Sequence, residues 1–170
     1  MNFQKWTDRS HPQTLQMGVL FLYINAAFGL LSTFSIALGS IVVFGATFIF
    51  YLLHAFGLLS VASQLPLAGS PIASVYSAFI LNLGRFLLVV LSFAHGLSGM
   101  GIANEKKWGY IAGITLVAFD AAGLFILIFE GAISQMGGLN VILGVIWVAV
   151  LLALLIHKES RQYYKIWFRK

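Results

Sequence analysis

The fold of this protein is decided by residues 82–131, NLGRFLLVVLSFAHGLSGMGIANEKKWGYIAGITLVAFDAAGLFILIFEG, in which two apolar runs flank a short charged turn. The turn is NEKKWG at 104–109. Each run is long enough to cross a bilayer as a helix, because about 20 apolar residues suffice. The stretch therefore predicts a helical hairpin that carries ionisable residues inside both arms.

The ionisable residues of the two arms form matching pairs. Arg85 and Glu130 are equidistant from one midpoint in the turn, and His95 and Asp120 share that midpoint. Antiparallel helices rise equally per residue, so both members of a pair are expected at the same depth. An ionisable group near the bilayer centre costs about 3 kcal/mol, which favours a partner. We therefore predict two buried polar pairs, His95 with Asp120 about 15 Å from the turn and Arg85 with Glu130 near the opposite membrane face.

The composition of the whole chain indicates an integral membrane protein. Of its 170 residues 60% are hydrophobic and 9% are charged, and the mean hydropathy is +0.94. A soluble domain would be about 25% charged. The net charge of +5 comes from basic residues at the two ends and in the turn, a pattern that indicates lipid headgroups and not nucleic acid. The lipid bilayer is thus the first predicted partner, and the absence of cysteine excludes disulfides and thiolate metal sites.

Apolar runs separated by breaks predict the fold class, an all-α polytopic membrane helix bundle of about five transmembrane helices with short loops. We treat residues 1–170 as a single integral membrane domain. Prolines, glycine and serines at 63–75, SQLPLAGSPIASV, indicate a loop or re-entrant turn. The tail at 157–170, HKESRQYYKIWFRK, is basic and aromatic, as expected of an anchor at the headgroup boundary. The predicted spans are residues 17–38, 41–62, 76–103, 110–130 and 139–156.

Charge bias predicts the orientation but leaves two arrangements open. The basic turn and the basic tail are separated by two spans, so both are expected on the cytoplasmic side of what is expected to be a bacterial cytoplasmic membrane. Five crossings put the N-terminus outside, and we favour them because Asp8 weakens the basic bias of Lys5 and Arg9. Alternatively the N-terminus is also cytoplasmic, and residues 39–84 cross an even number of times or insert without crossing.

One face of the third span combines polar and small side chains. Steps of three and four residues place these side chains on one helical stripe. Small residues let another helix approach closely, so the stripe predicts a helix–helix seam, with a cofactor slot beside His95 as the alternative. The stripe consists of Asn82, Arg85, Ser92, His95, Gly96, Gly99 and Ala103.

The sequence predicts no enzyme, no catalytic residue and no metal site. Nucleotide-binding loops, carboxylate pairs for hydrolysis and metal-ligand spacings are all missing from it. GLSG at 96–99 resembles the GxSG motif around the serine of rhomboid intramembrane proteases over four residues. The histidine that this family carries on a later helix has no counterpart here, because no histidine follows before His157 at the membrane edge.

Three functions are compatible with such a bundle. We expect a small accessory or assembly subunit of a larger membrane complex, with other membrane subunits as partners. The first alternative is a subunit that binds a chlorophyll-type pigment or a haem through His95. His54 is a poor second axial ligand for a haem, because the predicted helices place it more than about 10 Å from the depth of His95. The second alternative is a small proton-coupled transporter or channel that uses His95 and Asp120.

Overall fold

The computed structural model describes residues 6–34, 71–129 and 138–168. Within these ranges all regular structure is helical and there is no strand, which confirms the all-α class. The described helices are α1 (Gln13–Phe34), α2 (Pro71–Ala103), α3 (Lys107–Phe129), α4 (Gly138–Ile156) and α5 (Lys158–Trp167).

The described helices provide three or four candidate membrane spans. Three apolar stretches in α1, α2 and α3 are long enough to cross a bilayer, namely Gln13–Leu31, Phe86–Ala103 and Lys107–Ile126. The end of α4 meets the same criterion together with α5, which bends away from it by 44°. Since α5 exposes four charged side chains, it suits the membrane surface. The predicted span 41–62 lies outside the described residues, so the count of five stays a prediction.

Proline stands at the start of two described helices, and one predicted helix start needs correction. α1 begins at Gln13, directly after Pro12, whose carbonyl oxygen accepts the amides of Leu15 and Gln16. α2 already includes Pro71, so the prediction of a loop is wrong for residues 71–75. Proline is tolerated in a first helical turn, where its missing N–H would have no helical partner. With 33 residues, α2 is longer than a span of about 20 residues requires.

The turn between α2 and α3 is a Schellman motif. The amide of Lys106 donates to the carbonyl oxygen of Gly101 (2.9 Å), and that of Glu105 donates to Ile102 (2.9 Å). Glu105 occupies the left-handed position with a φ of 56°, where glycine is the usual residue. The motif reverses the chain within a few residues, and α3 starts at Lys107.

The two arms of the hairpin touch backbone to backbone just beyond the turn. A Cβ atom added to Gly109 would lie 2.5 Å from the carbonyl carbon of Gly101, and one added to Gly101 would lie 2.7 Å from the Cα of Gly109. No side chain fits such a gap. These two glycines therefore set the closest approach of α2 and α3.

The bundle core is formed mainly by α1, α3 and α4, with the C-terminal end of α2. α1 packs against α2 and α4, and α3 packs against α2 and α4. The Tyr110 hydroxyl donates to the carbonyl oxygen of Leu155 (2.7 Å), which ties the start of α3 to the end of α4. Buried apolar side chains in this core include Leu15, Val19, Leu22, Ile102, Val117, Leu151 and Leu155.

The N-terminal lead, the basic turn and the C-terminal tail meet at one end of the bundle. Thr14 lies 3.0 Å from Ser160 between their hydroxyl oxygens, and the rings of His11 and Tyr163 are 5.0 Å apart. The Tyr163 hydroxyl donates to Glu105 (3.0 Å). An odd number of crossings would put lead and tail on opposite membrane faces. The shared end of lead and tail is the arrangement of the alternative with both termini on one side, while the number of membrane crossings stays a prediction because residues 35–70 lie outside the described ones.

Candidate functional site

His95 of α2 and Asp120 of α3 form a buried polar pair. The His95 Nε2 atom lies 3.1 Å from Asp120 Oδ2. The side chains are 2% and 8% exposed, so neither lies in bulk solvent or in open contact with lipid. The structure thus brings together the two residues that counting from the turn placed at equal depth.

The second ring nitrogen of His95 determines the protonation of the pair. His95 Nδ1 lies 2.9 Å from the carbonyl oxygen of Leu91, one helical turn earlier. A carbonyl oxygen only accepts, so Nδ1 carries a proton and donates it. Nε2 then faces the carboxylate with a lone pair unless one further proton lies between them. A hydrogen bond between His95 Nε2 and Asp120 Oδ2 therefore requires one proton in addition to the one on Nδ1.

Asn25 and Trp147 extend this pair across the bundle. Asn25 of α1 donates from Nδ2 to Asp120 Oδ2 (3.4 Å), and the Trp147 indole of α4 donates to Asn25 Oδ1 (2.7 Å). Because an indole N–H only donates, it fixes which end of the Asn25 amide faces Asp120. Phe21 stacks on Trp147 with ring centroids 4.6 Å apart and holds the indole in place. One hydrogen-bonded network thus joins four helices.

The seam predicted on α2 lies against α1. A Cβ atom on Gly99 would lie 2.9 Å from the Tyr23 ring, and one on Gly96 would lie 3.4 Å from the Cβ of Ala26. Ser92 and Ala103 of the same stripe are fully buried. α1 therefore fills the space beside these small residues, and no slot for a macrocycle remains at Gly96 and Gly99.

The second predicted pair is outside what the structure describes. Arg85 lies within α2, but its side chain is not among the described ones, and Glu130 and His54 lie outside the described ranges. The pairing of Arg85 with Glu130 therefore stays a prediction.

His95 has no ring nitrogen available for a metal centre in this arrangement. One nitrogen donates to Leu91 and the other contacts Asp120. Binding a haem iron or the magnesium of a pigment would require the ring to give up one of these bonds. Ser98, the serine of the GLSG stretch, donates its hydroxyl to the carbonyl oxygen of His95 (2.9 Å) and makes no contact with the ring nitrogens.

A second polar cluster lies at the end where lead, turn and tail meet. Asp8, His11 and Glu105 each present one potential metal-ligand atom, and these atoms lie within 4.8 Å of one another. Both carboxylates are also hydrogen-bonded, Asp8 by the Ser10 amide and hydroxyl and Glu105 by Tyr163. Among the described residues, these three have side-chain atoms close enough together to bind one divalent cation. Sequence reasoning missed the cluster because almost 100 residues separate Glu105 from the other two.

Comparison with protein-family models, with curated proteins and with solved structures gave no match.

Proposed function

We propose that this protein is a small accessory or assembly subunit of a larger membrane protein complex. The observation that carries the proposal is the network of Asn25, His95, Asp120 and Trp147. These polar groups bind one another or the helix backbone, so they fix the register of four helices. A bundle locked in this way offers its outer surface for interaction.

That outer surface presents continuous apolar ridges. On α2 the exposed side chains recur every three or four residues and line the face opposite the buried His95. They are Phe86, Val90, Phe93 and Leu97, between 44% and 63% exposed. Such a ridge suits the helix of a neighbouring membrane subunit as well as lipid tails. The accessory function requires that one of the bundle's outer faces is covered by a protein partner.

Charge supports a single orientation for this subunit. Nine of the ten lysines and arginines lie in the lead, the turn or the tail, with Arg85 the exception. The described parts of these three segments meet at one end of the bundle. By the positive-inside rule this end faces the cytoplasm, with both termini on that side.

Site-specific photo-crosslinking in native membranes tests the proposal. Four variants each carry a benzophenone amino acid at one exposed position on α1, α2, α3 or α4. The positions are Leu20, Phe93, Phe125 and Ile146. Because a partner covers one face, we expect one or two neighbouring positions to give a discrete, heavier adduct while the others react with lipid alone. Adducts with lipid or with a second copy alone at all four positions would refute the accessory function.

A second candidate function is a proton-coupled transporter or channel. It is favoured by the 3.1 Å contact between His95 Nε2 and Asp120 Oδ2, because a basic nitrogen and a carboxylate at this distance can exchange one proton, whereas the donors at Trp147, Asn25 and His95 Nδ1 are fixed by their acceptors. The purified protein in liposomes would then carry a proton flux that His95→Gln abolishes. Liposomes with and without the protein would show equal flux if the network only holds the helices together.

A further inference from the structure

Two cavities lie side by side where α5 meets the bundle. The first has a volume of about 370 Å³ and is lined by Tyr110, Ile114, Ile156, Arg161, Tyr164 and Lys165. The second has a volume of about 300 Å³ and is lined by Lys158, Arg161, Gln162 and Lys165. Arg161 and Lys165 line both, so these two basic side chains stand between a mainly apolar cavity and one lined by charged and polar residues.

The apolar cavity extends along the first two turns of α3. Tyr110 of α3 stacks on Tyr164 of α5 with ring centroids 4.4 Å apart, and Ile156 is the last residue of α4. Ile114 lies two turns into α3, about 10 Å below its start. An occupant of this cavity therefore lies at the depth of the upper acyl chain.

The basic rim lies on one face of α5. Lys158, Arg161 and Lys165 are spaced by three and four residues, which places their exposed side chains on one side of the helix. The neighbouring Glu159 points about 100° away from Lys158 around the axis, so it leaves this face positive. Guanidinium and ammonium groups bind phosphate, and the apolar wall beside them can contact a hydrocarbon chain. The two features together suit a phosphate that carries an acyl chain.

We propose that the two cavities bind one anionic phospholipid of the leaflet at this end of the bundle. Its phosphate lies between Arg161 and Lys165, its headgroup faces Lys158 and Gln162, and one acyl chain follows Tyr110 and Ile114. A free phosphate would occupy the polar cavity alone and would leave the adjoining apolar cavity without a function.

Native mass spectrometry of the detergent-purified full chain tests this site. The protein is mixed with equal amounts of phosphatidylglycerol and phosphatidylcholine of identical acyl chains. We expect the glycerol lipid to be preferred, and Arg161→Gln to lower the ratio of the two bound lipids about fivefold. Lys107→Gln is the matched control, because Lys107 is an exposed cation at the same end that lines neither cavity. It should change the ratio by less than about twofold.

Two further arms separate the contributions of phosphate and acyl chain. Ile156→Ser, at a side chain that is 46% exposed, should weaken binding of both lipids without altering their ratio. Inorganic phosphate in large excess should displace neither lipid. Circular dichroism and gel filtration verify that each variant folds. Equal binding of the two lipids by the unaltered protein, equal effects of Arg161→Gln and Lys107→Gln, or displacement by phosphate would each overturn the proposal.

Discussion

His95 Nε2 and Asp120 Oδ2 lie 3.1 Å apart although the two residues belong to different helices on either side of a charged turn. Their contact is the centre of a network that reaches Asn25 on α1 and Trp147 on α4. The polar side chains of this network hydrogen-bond to one another inside the bundle. Removing one of them therefore leaves another buried polar group without a hydrogen bond. The stability of the bundle should therefore depend on this network.

Asp120→Leu should destabilise the bundle by about 1–3 kcal/mol, because it leaves His95 Nε2 and the Asn25 amide without their hydrogen-bond partner. Reversible unfolding in mixed micelles measures the change. Thr115→Val is the matched control. Thr115 is an exposed residue of the same helix, and its hydroxyl donates to the carbonyl oxygen of Ile111 one turn earlier. Equal stability of the two variants would contradict a stabilising role for the network.

Gly109→Ala should destabilise the hairpin by about 2 kcal/mol or more, because the new methyl group would overlap the backbone of Gly101. Backbone atoms cannot rotate away, so α2 and α3 would have to separate. Gly113→Ala is a control on the same helix, where the nearest atoms would lie 3.5 Å away in ordinary contact. Alanine favours helix by up to about 1 kcal/mol over glycine, so this variant should be neutral or more stable. Unfolding curves that rank the two in the opposite order would exclude a backbone contact.

Both termini should be accessible from the same membrane face. The chain has no cysteine, so Ser10→Cys and Gln162→Cys each create a single reactive thiol at an exposed site. A membrane-impermeant maleimide should label both in inverted vesicles and neither in intact cells. Phe129→Cys, at the other end of α3 and 75% exposed, is expected to show the reverse pattern or no labelling. Labelling of Ser10→Cys and Gln162→Cys from opposite sides would restore an odd number of crossings.

The contact between Tyr163 and Glu105 should weaken at alkaline pH. Burial raises the pKa of Tyr163 above its ordinary value of 10.0; a hydrogen bond with Ser10 opposes this shift, whereas the carboxylates of Glu105 and Asp8 reinforce it. The folded state thus favours the neutral phenol, so the stabilisation is complete below the ordinary value and is lost as pH rises through the raised pKa. Thermal unfolding should show an alkaline loss of stability that Tyr163→Phe reduces.

Absorbance titration provides the independent measurement. The difference between the unaltered protein and Tyr163→Phe reports the ionisation of Tyr163 alone, and its midpoint should lie above 10.0. Glu105→Gln keeps an acceptor for the hydroxyl but removes the charge, so it should move the midpoint downwards. A midpoint of 10.0 or lower in the unaltered protein would mean that Tyr163 is not docked as described.

The register of the hairpin could be read from the sequence because a helix converts residue number into depth at a fixed rise. Counting from the turn was enough to place His95 beside Asp120. The same regularity identified the seam of small residues, since Gly96 and Gly99 recur on the face of His95. Counting did not reveal which helix fills the seam, because any of the other spans offers an apolar face of suitable depth.

The sidedness of the N-terminus is the point that sequence reasoning left most open. Lys5, Asp8 and Arg9 together carry a net charge of only +1, so charge alone does not decide where the lead lies. The contact of Thr14 with Ser160 places the start of α1 beside α5, and it depends on the packing of two segments at opposite ends of the chain.

The sequence by itself predicted a helical bundle with spans apolar enough for a membrane and placed His95 level with Asp120, because hydropathy and helical rise are local properties. Only the tertiary structure decided that Asn25 and Trp147 complete the network, that Asp8, His11 and Glu105 converge, and that both termini share one end. These contacts join residues between about 90 and 150 positions apart, and they follow from how helices pack side by side. No local pattern carries that information.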